Sequence, residues 1–268
     1  MILVAILAVL PAAGIYHRQN SDVDRAMIHA DLRALTWGDA DARRRAAEDL
    51  GEAKSTSYAP IFSALAAATL GDNAPEVRRA SVRSLGKVLA ASVQPPKWTG
   101  AYVRSPLGGS DDEASAIRAM IRALTDVRPE VRRDAVNSFY QLENRVTITP
   151  EIDGPAAPAL DRLLGDADPS TRSAAIWALS WLSPPPPSGR DRALALLASD
   201  PDLGVRLAAV QALVHGWPAA ELYLALLDQW KTAKTKDDRR QILNAMVSLP
   251  PLPPEVIPTL LHLILKQA

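Results

Sequence analysis

One recurring skeleton constrains this chain more than any other feature: Asp-x-x-Pro-x-Val-Arg followed by spaced small and apolar residues. It is seen most fully as DNAPEVRRASVRSLG, Asp72 to Gly86. Aligned on its Arg, six blocks fall into register, centred on Arg43, Arg78, Arg132, Arg172, Arg206 and Arg239. Their separations are 35, 54, 40, 34 and 33 residues. A repeat of this length encodes one small unit that cannot bury its apolar face alone and must stack on its neighbours.

Each block reads as one helix. Asp39, Asp168, Asp202 and Thr235 share one aligned column and can cap the free N–H groups of a first turn. Pro75, Pro129 and Pro169 take the next column, where a missing N–H costs nothing. Further along, Ala42, Val77, Val131, Thr171 and Val205 align, with Asp238 breaking the column in the sixth block. Four residues on stand the small residues Ala46, Ser81, Ala135, Ala175 and Ala209, which allow close helix approach. Eight residues on stand Leu50, Leu85, Phe139, Leu179, Leu213 and Met246. Spacing of i, i+4, i+8 is one face of an α-helix, and no stretch alternates with the period of a strand.

Second helical patterns lie between the blocks: DRAMIHADLRAL, YAPIFSALAAATL, EASAIRAMIRAL, APALDRLL, RALALLA and AAELYLALLDQW. A terminal EVIPTLLHLIL has no following partner, which leaves open whether the chain continues. The longer separations come from Pro/Gly-rich insertions, chiefly residues 94–112, with NRVTITPEIDGP and SPPPPSG as shorter loops. The expected fold is all-α: a solenoid of about six helix pairs plus a terminal helix, over residues 19–268.

The blocks DNAPEVRRASVRSLG, DVRPEVRRDAVNSFY, DADPSTRSAAIWALS and DPDLGVRLAAVQAL resemble HEAT repeats, particularly the bacterial, phycobilisome-lyase-like class. The resemblance runs over roughly residues 21–268 and implies the solenoid fold. It leaves function open, because such repeats serve scaffolds, adaptors and a few enzymes. On a helical projection the Arg column falls between the apolar columns, so its guanidinium groups need partners. Asp72, Asp126, Asp166 and Asp200, each six residues before an Arg, supply them. The resemblance implies a structural ladder tying neighbouring repeats through these residues; the competing reading is an anion site.

Thirty basic and thirty acidic side chains cancel, so no global field draws the chain to nucleic acid or an anionic membrane. The absence of Cys excludes disulfides, thiolate metal sites and Cys nucleophiles. The four His form no HxH, HExxH or His-Glu pair, which argues against a zincin and against the HEAT-repeat iron hydroxylases. No Gly-rich phosphate loop or nucleophile elbow is present, so no catalytic residue, metal or cofactor is nominated. Glu48 and Glu52, at i, i+4, read as a solvated helix face. Arg43, Arg44 and Arg45, with Arg79, Arg83 and Lys87, offer a basic face. HEAT-like DNA glycosylases use such a face, but Asp41, Glu48, Asp49, Glu52 and Glu76 interleave here and disfavour nucleic acid.

MILVAILAVLPAAGIY, residues 1–16, carries no charge and is apolar on every side. As a helix it spans roughly 24 Å, short of a roughly 30 Å hydrocarbon core, and it has no basic leader. It predicts a membrane anchor within residues 1–18, with side undetermined. A cleaved signal of a secreted or periplasmic protein, or a buried first helix of a soluble cytoplasmic one, are the alternatives.

The expected function is a non-catalytic scaffold or adaptor that holds another protein. The alternatives are a HEAT-fold enzyme of bilin-lyase type and a nucleic-acid binder. The candidate docking surface comes from two columns opposite the apolar stripe. One reads Glu48, Arg83, Asn137, Trp177, Gln211, Asn244; the other reads Glu52, Lys87, Gln141, Trp181, His215, Ser248. Only the fourth block places paired Trp there, with Leu207 on the next block's outer face. Asn137, Gln141 and His215 would form a polar rim around Trp177 and Trp181, as in a binding hot spot. The bland alternative folds SPPPPSG back over the two rings.

Overall fold

The computed structural model describes residues 24–53, 58–92, 105–107, 110–143, 146–148, 150–182, 184–216, 222–233 and 235–247. Twelve helices and two three-residue strands run along them. A first helix, α1, occupies residues 24–37. It is followed by α2 (Ala40–Gly51), α3 (Ala59–Gly71), α4 (Pro75–Ser92), β1 (Ser105–Leu107), α5 (Asp111–Ala123) and α6 (Pro129–Glu143). Then come β2 (Val146–Ile148), α7 (Pro150–Leu163), α8 (Pro169–Trp181), α9 (Pro187–Ser199), α10 (Leu203–Gly216), α11 (Leu222–Thr232) and α12 (Lys236–Val247). The even-numbered helices carry the six Arg-centred blocks, and the odd-numbered ones are their partners. The fold is all-α, of the solenoid class.

Helix starts follow the capping chemistry. Asp39 accepts the N–H of Ala42 at 2.8 Å, Asp168 that of Ser170 at 3.3 Å, Asp202 that of Val205 at 3.1 Å and Thr235 that of Asp238 at 3.0 Å. α4, α6 and α8 begin on Pro75, Pro129 and Pro169. Two local differences from the sequence reading stand out. α7 starts at Pro150 and takes Pro155 and Pro158 inside it, so half of the segment read as a loop is helical. The β-branched residues of Val146–Ile148 form a strand too short to produce a legible alternation.

Two compact units divide the chain, residues 1–138 and 139–268. In the first, α2 packs on α4, and α3 packs on α4 and α5. Its core centres on Leu50, Ile61, Leu65, Leu85, Leu89, Ile117 and Met120, all fully buried. In the second, α8 packs on α7 and α10, α9 on α10, and α11 on α12. Phe139, Leu142, Leu160, Leu213 and Leu226 form its buried centre.

The small-residue positions set how closely consecutive block helices approach. A Cβ placed on Gly51 would meet Ser84 Oγ at 2.5 Å, and one on Gly216 would meet the carbonyl oxygen of Ser180 at 2.7 Å. Helix backbones at this range leave no room for even a methyl group.

The expected membrane placement is corrected. Among the described residues no helix is long and apolar enough to cross a membrane. The apolar segment 1–18 on which that expectation rested lies outside the described residues, as does the terminal EVIPTLLHLIL, and no localisation is assigned to the chain.

Candidate partner-binding face

The frame of any surface here is set by the Arg column. Arg43 donates Nε and Nη2 to the two carboxylate oxygens of Asp72 at 2.7 and 2.9 Å. Arg78 does the same to Asp126 at 2.7 and 3.0 Å, and Arg172 to Asp200 at 2.8 and 2.8 Å. In each case the carboxylate belongs to the entry turn of the following block. The third nitrogen, Nη1, turns back to a carbonyl of the Arg's own entry turn: Gly38 for Arg43, Asp72 for Arg78 and Asp166 for Arg172, at 2.8–2.9 Å. Arg132 and Arg206 bind their own turns in the same way, through the carbonyls of Asp126 at 3.0 Å and Asp200 at 2.7 Å.

The Asp column has a second task. One oxygen of Asp72, Asp126, Asp166 and Asp200 accepts the N–H two residues on, at 2.9–3.0 Å, which fixes the turn. The planar guanidinium groups of Arg43, Arg78 and Arg172 each join two turns with a fork that matches a carboxylate edge to edge. Burial alone would raise the Asp72, Asp126 and Asp200 carboxyls. The Arg hydrogen bond, the turn N–H and the charges of two flanking Arg outweigh it and hold all three below the usual range.

On the outward rows of the block helices, neighbouring blocks meet side by side, and the chemistry changes between the units. In the first unit the rows are charged. Glu48 takes Arg44 at 2.7 Å and Arg83 at 3.5 Å, Asp134 takes both Arg79 and Arg83 at 2.8 Å, and Glu52 takes Lys87. Glu48 and Glu52 thus face solvent and also reach across to the neighbouring block helix. Of the basic residues considered for phosphate contact, Arg43, Arg44, Arg79, Arg83 and Lys87 are all held by carboxylates.

In the second unit the same rows are aromatic. Trp181 and His215 stack with ring centroids 3.7 Å apart and planes at 28°. Trp177 lies 6.4 Å from His215 and 6.0 Å from Tyr140, tilted against both. His215 Nδ1 is 3.2 Å from the Ser180 carbonyl oxygen. Both Trp rings are half-buried rather than solvated, while His215 and Gln141 are exposed and Leu207 is half-buried. Asn137 is half-buried on α6 and belongs to the first unit. The sequence reading missed Tyr140, which lies outside both rows and directly precedes Gln141 on α6.

Residues 148–214 match the family model of HEAT repeats. No curated protein matches the chain. Among solved structures, an engineered protein is 18% identical with a TM-score of 0.52, covering 81% of this chain and 94% of its own. A designed armadillo repeat protein in complex with the peptide (KR)4 is 16% identical with a TM-score of 0.51, covering 82% and 98%. A homology model of the full-length AP-3 complex reaches a TM-score of 0.61 at 12% identity, over 90% of this chain and 43% of the matched one. At these identities the likeness is one of fold. Paired helices with recurring Arg and Asp columns make the chain an α-solenoid, within which residues 148–214 match HEAT repeats.

Proposed function

We propose that the chain is a non-catalytic binding module that holds another protein, with its docking face on the aromatic rows of α8 and α10. The observation that carries this reading is the change in those rows. In the first unit they are closed by ion pairs between blocks, whereas in the second they present the half-buried Trp177 and Trp181 and the exposed His215. Large rings held rigid by neighbours lose little entropy on binding, which is why Trp and Tyr dominate interface hot spots. The designed armadillo protein of similar fold binds a peptide, so this architecture is compatible with such a role. Gln141 and Gln211, both exposed, supply the polar margin.

The test is capture from a lysate of the native cell with the full chain as bait, beside the double variant Trp177→Ala, Trp181→Ala. Trp37→Ala serves as control, because Trp37 is 85% exposed on α1 in the other unit. The expected result is a partner retained by the control and lost by the double variant at an unfolding midpoint still above the assay temperature. An unchanged set of captured proteins would remove the aromatic rows from the binding surface.

A further inference from the structure

Three rungs of the ladder define where a carboxylate belongs, and at one position it is missing. Arg43, Arg78 and Arg172 each place Nε and Nη2 on an aspartate in the next block's entry turn. Arg206 keeps only the other half of the arrangement, donating Nη1 to the carbonyls of Asp200 at 2.7 Å and Pro201 at 3.3 Å. Six residues before Arg239, where the column calls for Asp, the chain has Ala233. Arg206 Nε is buried and has no acceptor.

α10 and α12 pack together, and in the register of the three complete rungs the turn that carries Ala233 is the counterpart, for Arg206, of the Asp-bearing turns. Further donors gather around that turn. Arg239 donates Nη2 to the Ala233 carbonyl at 3.3 Å and lies over the Trp230 ring, 5.8 Å from its centroid. Trp230 Nε1 is likewise buried without an acceptor. Two carboxylates on the adjoining helices are engaged elsewhere, Asp228 with Lys231 and Asp237 with Arg240 and Gln241.

We propose that the Ala233 turn is a carboxylate-binding site, in which an acidic side chain of a protein partner completes the open rung between Arg206 and Arg239. A carboxylate is the group that fits: the Arg fork is matched by two coplanar oxygens, as in the three closed rungs. A buried donor shut off from water and lacking an acceptor also favours any ligand that supplies one. Asp200 is the internal precedent, lying under the charges of both Arg172 and Arg206. The site lies on α10, α12 and Ala233, and it stands whether or not the aromatic rows bind a partner.

The test follows the Arg206 Nε–H signal of the full chain by ¹⁵N NMR, assigned by its loss in Arg206→Lys. Three probes are added at constant ionic strength: acetyl-Ala-Asp-Ala-amide, the same peptide with Asn in place of Asp, and acetate. The Asp peptide is expected to shift the signal saturably and the Asn peptide to leave it in place. Ala233→Asp should fill the site itself, show the shifted signal without peptide and weaken the titration at least tenfold. If that variant does not fold, Arg206→Lys serves instead, and the Asp peptide should then fail to move Arg239 Nε–H. Acetate binding as tightly as the peptide would overturn the assignment to a partner side chain. No shift with any probe, or an equal shift in Ala233→Asp, would each overturn the site.

Discussion

Arg78 donates to Asp126 across 48 positions of sequence, yet the contact matches that of Arg43 with Asp72 across 29 and of Arg172 with Asp200 across 28. The rung is a fixed element, and the chain between its ends varies freely. Extra length is tolerated because loop-closure entropy grows only with the logarithm of loop size, by about 0.6 kcal/mol per doubling.

Breaking one rung is expected to be costly. The Arg172 and Asp200 side chains are 10% and 4% exposed, so Arg172→Ala leaves a nearly buried carboxylate without its main partner. The expected loss is about 3–5 kcal/mol in the second unit, read from chemical denaturation of the variant against the parent. Asp200→Asn, which keeps an oxygen for the turn N–H and for Arg172, should cost less. An Arg172→Ala midpoint equal to that of the parent would show that the pair contributes nothing net.

The same rungs predict acid sensitivity. Burial raises the Asp72, Asp126 and Asp200 carboxyls, but their hydrogen bonds to Arg and to the turn N–H groups outweigh it, and the net shift is downward. A carboxylate with a folded pKa below its unfolded value of about 3.9 stabilises the fold above that pH. Its contribution is lost as pH falls through the folded pKa. Urea midpoints should therefore hold steady from pH 6 to about 4 and drop below it, and Asp200→Asn should shallow the drop. A midpoint independent of pH down to 2 would contradict the linkage.

Much of this architecture is legible in the sequence, because helix caps, N1 prolines and i, i+4, i+8 columns are local. Asp39, Asp168, Asp202 and Thr235 cap where their column lies, and Leu50, Leu85, Phe139, Leu179 and Leu213 are buried. What the columns lack is direction. They place Asp six residues before Arg without saying that Arg43, Arg78 and Arg172 reach forward to the next block's carboxylate and backward only to a carbonyl. Lateral contacts are hidden for the same reason. Glu52 and Lys87, or Trp181 and His215, lie 35 and 34 positions apart and meet only once two helices are laid side by side. Trp181 is half-buried because His215 covers one face of its ring, which helical projection of a single block cannot reveal.

Helix approach makes a contrasting pair of predictions. Gly51→Ala presses on the Ser84 side chain, with Oγ at 2.5 Å and Cβ at 2.8 Å, whereas Gly216→Ala presses on the Ser180 backbone, with O at 2.7 Å and Cα at 3.0 Å. Each should destabilise by about 1–3 kcal/mol through overpacking. Adding Ser84→Gly should recover part of the first loss, because it removes both of the closest atoms. Adding Ser180→Gly should not recover the second, because the obstructing carbonyl and Cα remain. Thermal unfolding of the two single and two double variants decides it, and equal rescue in both pairs would mean that the helices shift apart instead.

The charged rows of the first unit carry the last prediction. Arg79 and Arg83 share one carboxylate oxygen of Asp134, and Glu48 takes the far side of Arg83. Asp134 is 12% exposed and the two Arg are 33% and 41% exposed, so the pairs are partly screened and individually modest. Their larger effect is to hold cations that would otherwise face a polyanion. Asp134→Asn with Glu48→Gln frees Arg79 and Arg83 and leaves Arg44 only the longer contact with Asp41, at a stability cost of about 1–2 kcal/mol. Duplex DNA binding measured by fluorescence anisotropy should be weak for the parent and rise in the variant, with an affinity that falls steeply as salt is added. Tight, salt-sensitive DNA binding by the parent itself would show that these ion pairs open for phosphate, and nucleic acid would then be the expected partner of this face.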